Sequence, residues 1–328
     1  MDEPSNTPRL GVFTDPRQSG HHASQAHPER PERADAARRG VERAELDALL
    51  EWREAPPASA EDLVRVHDPA LLERLERAAT AGRSTVDPDT YLTTQSVDVA
   101  RRASGNALAA ARDLHAGVLA SAFVIARPPG HHAERDTAMG FCLFDHAAVA
   151  ASWLREVAGL DRVAIVDFDV HHGNGTQDIF EADGSVFYAS LHEWPLFPGT
   201  GAPDERGTGA GDGATLNLPQ PAGATGLEWL TAVERELLPA LESFDPQFLI
   251  LSAGFDAHRD DPLSRTRLET ADYAGLTEMI TAGLPLPTLS ILEGGYDLAA
   301  LEESVRVHVQ ALGRAAEDRI ANDPRADT

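Results

Sequence analysis

The chain has 328 residues and is 42% hydrophobic, enough to bury the core of one large α/β domain or two ordinary ones. Its formal net charge is −25 and all 28 basic residues are arginine, which excludes a nucleic-acid or anionic-membrane binder built on a basic surface. The single cysteine, Cys142, excludes an intrachain disulfide framework and fits a reducing cytoplasm.

The opening MDEPSNTPRLG lacks the basic and apolar regions of a signal peptide, and no apolar run approaches the roughly 18 residues a membrane span needs. The expectation is a soluble, cytoplasmic protein. Its acidic, lysine-free composition suits either a salt-adapted organism or a GC-rich genome.

Taken in chain order, the apolar runs are RLGVF (9–13), AFVIA (122–126), VAIVDFDV (163–170), SVFYASL (185–191), QFLILSAG (247–254) and PTLSILEGG (287–295). Their hydrophobicity is continuous rather than alternating, which predicts strands covered on both faces, as in a parallel sheet. Helical patterns lie between them at 145–159, 227–244 and 270–283. The β-α-β alternation predicts an α/β fold: one domain with a wound, mainly parallel sheet and helices on both faces. About residues 1–8 and 316–328 are expected to fray.

In such sheets the functional crevice lies at the carboxyl ends of the strands. Four runs end in polar residues: AFVIA enters RPPGHH, VAIVDF enters DVHHGNG, LILSAG enters FDAHRDDP, and LSILE enters GGYD. Residues two apart on a strand share a face, so Asp167, Asp169 and His171 would converge where the third run leaves the sheet. Three such groups without a counter-ion are strongly unfavourable; a divalent cation resolves this, and an Asp/His set with open positions suits catalytic zinc. The plain alternative is a solvated strand end with capping aspartates.

His131 and His132 follow Pro-Pro-Gly on a rigid loop, where imidazoles can shuttle protons near neutral pH. The other adjacent pair, His21 and His22, has no buried strand before it and is taken as a loop feature. Asp256, just past a strand, can supply a further carboxylate ligand. His258 and Asp260 suggest a second metal through the DAHRD string, against the simpler reading that both solvate the loop. In LEGGYDL the glycines allow a tight turn that presents Tyr296, a phenol able to stabilise an oxyanion.

In this order, RPPGHH, GFC, DFDVHHGNGTQ, SLH, FPGTG, SAGFDAHRDDPL and LEGGYDL resemble the zinc-dependent histone deacetylase superfamily, over nearly the whole chain from HPERPER (27–33) onward. The resemblance is to its class II branch and to bacterial and archaeal deacetylase-like amidohydrolases, acetylpolyamine amidohydrolases and acetoin-utilisation proteins. It implies the arginase/deacetylase-like form of the α/β fold. It also implies one Zn²⁺ per chain, held by Asp169, His171 and Asp256, with His131 and His132 deprotonating water and protonating the leaving amine. Asp167 would orient His131. Asn174 stands beside His132 where class I members carry aspartate, and a neutral amide stabilises a protonated histidine less than a carboxylate does. Tyr296 matches the oxyanion donor.

By the same resemblance Phe141 and Phe197 are tunnel walls, the Gly140 carbonyl accepts the substrate amide N–H, Asp89 is a rim residue, and Arg33 lies near the acetate-release route. A structural K⁺ would be held by the carbonyls of Asp167, Asp169, His171 and Leu191 with the Ser190 hydroxyl, and a second monovalent site would lie near Phe180, Asp183 and Val186. Polyamine-selective relatives can carry a glutamate at the position of Leu263. Its apolar side chain here favours an acetylated lysine peptide or protein, or a related short acyl-amide, over an acetylated polyamine. Two rival readings are a binuclear manganese ureohydrolase and a catalytically silent deacetylase-like binding protein. The sequence implies nothing about oligomeric state.

Overall fold

In a computed structural model that describes residues 10–321, eight strands form one sheet. They are β1 (Leu10–Phe13), β2 (Leu50–Arg53), β3 (Ser121–Val124), β4 (Val163–Asp167), β5 (Val186–Glu193), β6 (Thr215–Gln220), β7 (Phe248–Ala253) and β8 (Thr288–Leu292). Their order is β2-β1-β3-β8-β7-β4-β5-β6, and each pairing is parallel. The fold class is the one expected from the alternation of apolar runs and helical patterns. The helices are α1 (Glu32–Glu42), α2 (Ala60–Leu63), α3 (Pro69–Thr80), α4 (Ser96–His115) and α5 (His146–Glu156), followed by α6 (Asn174–Phe180), α7 (Gly226–Ala232), α8 (Leu238–Phe244), α9 (Thr270–Gly283) and α10 (Leu298–Ala321). Among the described residues no helix is long and apolar enough to cross a membrane.

The period-2 geometry of a strand divides the core into two layers. On β4, Val163 and Ile165 pack with α3, α4 and α5, while Ala164 and Val166 pack with α1, α9 and α10 on the opposite face. Burial on both faces is what made the central strands visible as unbroken apolar runs. The runs that end in chemically reactive residues are β3, β8, β7 and β4, four neighbours at the centre of the sheet. One edge of the sheet therefore collects all four polar exits.

The expected boundaries need three adjustments. The strand over 163–170 stops at Asp167, where the N–H groups of Asp169 and His171 turn to the side-chain carboxylates of Asp167 and Asp169 rather than continuing the ladder. The helical pattern over 227–244 is α7 and α8 joined through a π-helical turn at Val233–Leu237. The C-terminal segment does not fray from 316: α10 continues to Ala321 and buries Ala316, while 322–328 and the expected N-terminal fray over 1–8 lie outside the described residues.

Candidate active site

Asp169 and His171 leave β4, and Asp256 leaves β7, two strands that pair directly. His171 Nδ1 lies 3.0 Å from Asp169 Oδ1 and 3.1 Å from Asp256 Oδ2. All three residues are buried, and their ligand atoms lie within 4.8 Å of one another. The carboxylates are aimed by main-chain donors: Gly294 N–H bonds Asp169 Oδ2 at 2.7 Å and Val170 N–H bonds Asp256 Oδ1 at 2.9 Å. Gly294 is obligatory here, since a Cβ at that position would run into both carboxylates.

This donor set fits a divalent metal such as zinc, with one imidazole nitrogen and carboxylate oxygens converging and positions left for water and substrate. The electrostatics make the same demand for positive charge. Burial, with Asp169 beside it, pushes the Asp256 carboxyl up to about 6. Burial opposes a charged His171, yet the bonds to Asp169 and Asp256 raise it to about 10. His258 and Asp260 do not join the cluster: His258 Nδ1 accepts from the Asp260 N–H at 3.2 Å, and the Asp260 side chain is exposed. Among the described residues, Asp169, His171 and Asp256 are the one group of three or more such side chains placed to share an ion.

His131 and His132 pack against the cluster from the loop after β3, with ring centroids 4.0 Å apart. Their partners differ. His131 Nδ1 lies 3.0 Å from Asp167 Oδ2, which also accepts from the Tyr188 hydroxyl at 3.1 Å. His132 Nδ1 lies 2.7 Å from Asn174 Oδ1. Burial lowers both imidazoles, but Asp167 and Asp169 overcome it and set His131 well above its ordinary value. At His132, burial together with the neighbouring His131 and His171 sets the pKa well below. The two imidazoles are thus pushed in opposite directions by their surroundings.

Tyr296 closes the opposite side. Burial keeps its phenol protonated, the Arg33 guanidinium lies 4.8 Å over its ring, and its N–H donates to Asp261 Oδ2 at 2.7 Å. Arg33 sits behind it, fully buried, donating to the Gly295 carbonyl at 2.6 Å and to Glu29 at 3.3 Å. Phe141 meets the Tyr296 ring edge-on at 5.8 Å, and Phe197, 41% exposed, meets His132 edge-on at 5.1 Å. Phe141 thus packs on the phenol and Phe197 on the imidazoles. Gly140 holds a left-handed φ of 56° against the His132 ring, leaving no room there for a Cβ.

Asp89 is exposed beside Thr90, whose hydroxyl accepts from Phe141 N–H at 3.0 Å. Leu263 is half-buried on the loop after Asp256, and a cavity of about 650 Å³ opens beside Tyr296 between Pro262 and the loop carrying His22, His27 and Pro28. Ser190 pairs in register with Asp167, and its hydroxyl lies 2.9 Å from His192 Nδ1. The Phe180 and Asp183 carbonyls already accept from the N–H groups of Asp183 and Val186.

The decisive comparison is with known families. The histone deacetylase domain pattern matches residues 27–312. This chain belongs to the histone deacetylase family. That membership places it among hydrolases of amide bonds. The deacetylase-family chain is 39% identical to a histone deacetylase-like amidohydrolase of Pseudomonas aeruginosa, covering 84% of this chain and 74% of that one. It is 41% identical to a probable deacetylase of Methanothermobacter thermautotrophicus, covering 86% and 85%. The crystal structure of the HDA15 HD domain superposes with a TM-score of 0.90 at 35% identity, covering 97% of this chain and 94% of that one.

The structure adds residues that sequence reasoning missed. Glu293 accepts from the Gly130 and His131 N–H groups at 2.7 and 3.2 Å, Asp261 anchors Tyr296, Tyr188 bonds Asp167, and Glu134 bonds Asn174. Glu134, Asp261 and Glu293 each lie inside or next to a quoted motif, which is the only signal the sequence offered. His21 lies in a loop, as expected, but is not solvated: it is 1% exposed, bonded to Ser96 at 2.7 Å and stacked on Tyr91. His22 is exposed, as a loop residue should be.

Proposed function

We propose that the chain is a zinc-dependent deacetylase that hydrolyses the acetyl or short acyl amide of a lysine side chain, in a single catalytic domain acting in the cytoplasm. The observation that carries this reading is the buried Asp169–His171–Asp256 cluster set against two adjacent imidazoles, one bonded to a carboxylate and the other to an amide.

Zinc bound to those three side chains would lower the pKa of a water to about 7 and polarise the acyl oxygen. The chain's own groups do the rest. His132, neutral and with Nδ1 committed to Asn174, has Nε2 available to take the proton of the attacking water and hand it to the departing amine. His131, held cationic by Asp167, offsets negative charge that develops beside it. The Tyr296 hydroxyl, kept protonated by burial, donates to the developing oxyanion, and Arg33 fixes the turn that carries it. The Gly140 carbonyl accepts the substrate amide N–H, while Phe141 and Phe197 flank a slot that admits a thin, linear acyl-amine, with Asp89 at its rim.

Leu263 offers no partner to a second ammonium, which favours acetyllysine over an acetylated polyamine. A structural K⁺ between the Asp167–His171 segment and Ser190–Leu191 is supported by the β4–β5 register, and the Ser190 oxygen retains lone pairs when it donates to His192. The test is turnover by the purified protein of acetyllysine peptides, acetylated polyamines and longer acyl-lysines, with metal content measured on the same sample. Chelator-sensitive, hydroxamate-sensitive release of acetate from the peptide, at about one zinc per chain, is the expected result. Two manganese ions per chain, or wild-type rates from metal-loaded Asp169→Ala protein, would overturn the reading.

A further inference from the structure

Asn174 stands where a neutral amide, rather than a carboxylate, faces His132, and an amide can present either of two nearly isosteric ends. Its carbonyl end faces His132 Nδ1 at 2.7 Å. Its NH2 end donates to Glu134 Oε1 at 2.7 Å and lies 3.4 Å from Met139 Sδ. Glu134 is itself fixed: its N–H donates to the Thr137 carbonyl at 2.9 Å, and its carbonyl lies 3.0 Å from His67 Nδ1. His67 must donate there, because its Nε2 accepts the Asp145 N–H at 2.9 Å.

We propose that Glu134 selects the tautomer of His132 through the Asn174 amide, and is thereby a positioning residue for the hydrolysis proposed above, on which its catalytic consequence rests. An ionised carboxylate only accepts hydrogen bonds, so Glu134 takes the NH2 end and turns the Asn174 carbonyl towards His132. Facing a carbonyl, Nδ1 has to carry the hydrogen. That leaves the lone pair of neutral His132 on Nε2, the atom required to take a proton from water.

Without Glu134, only the weak thioether acceptor and a marginal 3.5 Å contact to the His132 carbonyl oppose rotation of the amide. The flipped amide would donate to Nδ1 and stabilise the Nε2–H tautomer, which cannot act as the base. An aspartate at 174 would present an acceptor in either orientation and would need no such guard. Glu134 is therefore the residue that lets an amide do the orienting work of a carboxylate at this position.

Two independent readouts test this. In ¹⁵N-labelled, zinc-loaded protein, long-range proton–nitrogen spectra should show His132 as the Nδ1–H tautomer. Glu134→Ala should introduce the Nε2–H form, and Glu134→Gln, which keeps a carbonyl acceptor, should not. On an acetyllysine peptide, Glu134→Ala should lower kcat at least about tenfold with KM within about twofold, as expected for misorienting a general base. Adding Asn174→Asp to Glu134→Ala should restore kcat to within about threefold of the parent. Asn174→Asp alone, which sets a carboxylate 2.7 Å from the Glu134 oxygen, should not reach that level. An unchanged tautomer in Glu134→Ala, or a kcat loss that Asn174→Asp fails to recover, would overturn the proposal. If the parent protein does not hydrolyse acyl-amides at all, the deacetylase reading falls, while the spectra still decide what Glu134 does.

Discussion

Replacing Tyr296 by phenylalanine removes one oxygen from the site and isolates a single function. Among the described residues that hydroxyl has no hydrogen-bond partner, whereas the ring is held by the Arg33 guanidinium at 4.8 Å and by Phe141 at 5.8 Å. The main chain is fixed independently through the Tyr296 N–H to Asp261 and the Gly295 carbonyl to Arg33. Phenylalanine therefore keeps every ring and backbone contact and leaves no buried donor or acceptor stranded, so stability should change by less than about 1 kcal/mol. For a protein of this size that is a Tm shift within about 3 °C. The loss should fall on the transition state. Removing one preorganised oxyanion donor costs about 2.7–4 kcal/mol, so kcat should drop by about 10²–10³ while KM stays within about threefold. Steady-state release of acetate from an acetyllysine peptide by zinc-loaded protein, with a thermal melt on the same sample, measures both. A kcat within about threefold of the parent would refute the assignment of Tyr296 as the oxyanion donor.

Asp169→Ala removes a ligand anchored by the Gly294 N–H, and metal analysis should show zinc falling from about one per chain to a small fraction of that, with acetate release lost in step. Glu29 is fully buried, and although burial would raise it, Arg127, His21 and Arg33 hold it at about 2 against 4.5 in the unfolded chain. Its stabilisation is complete above pH 4.5 and is lost as pH falls towards 2; Glu29→Gln should cost about 3 kcal/mol in urea unfolding at pH 7 and about half of that at pH 3. Burial pushes His308 down to about 3 from 6.5. Below pH 6.5 the unfolded chain binds a proton that the folded chain refuses, so stability falls by about 1.4 kcal/mol per pH unit through this group until about pH 3. His308→Gln should reduce the slope of stability against pH by one proton between pH 4 and 6, and an unchanged slope would show that His308 is charged in the fold.

The legible part of the fold is the part covered on both faces. β3, β4, β7 and β8 are fully buried, so their sequences are unbroken apolar runs and their exits could be identified before any coordinates. β2 and β6 are the outer strands of the sheet and were missed, because LEWR and TLNLPQ carry half-exposed positions and mix polar with apolar residues. The burial of the loop residue His21 was hidden for a related reason. Its burial comes from contacts with Ser96 and Tyr91, 75 and 70 residues away, and no local pattern encodes such a partner.

Within the site, the sequence pattern displays the side chains proposed to react but not the groups that hold them. The turn from Glu293 to Tyr296 shows why. Glu293 accepts from the N–H groups of the histidine loop, Gly294 N–H holds Asp169, the Gly295 carbonyl receives Arg33, and Tyr296 N–H is held by Asp261. Four residues thus brace the histidine pair, the Asp169 carboxylate and the phenol against one another. Burial raises the Glu293 carboxyl to about 8, and its Oε1 has no partner, so a full charge there is unfavourable and the residue serves through the single oxygen that gathers main-chain donors. Every residue but proline has a main-chain N–H, so a bond to one leaves no mark in the residue pattern. A motif therefore displays the imidazoles and carboxylates proposed to do the chemistry, while the acids that fix their geometry, Glu134, Asp261 and Glu293, look in the sequence like ordinary solvated loop residues.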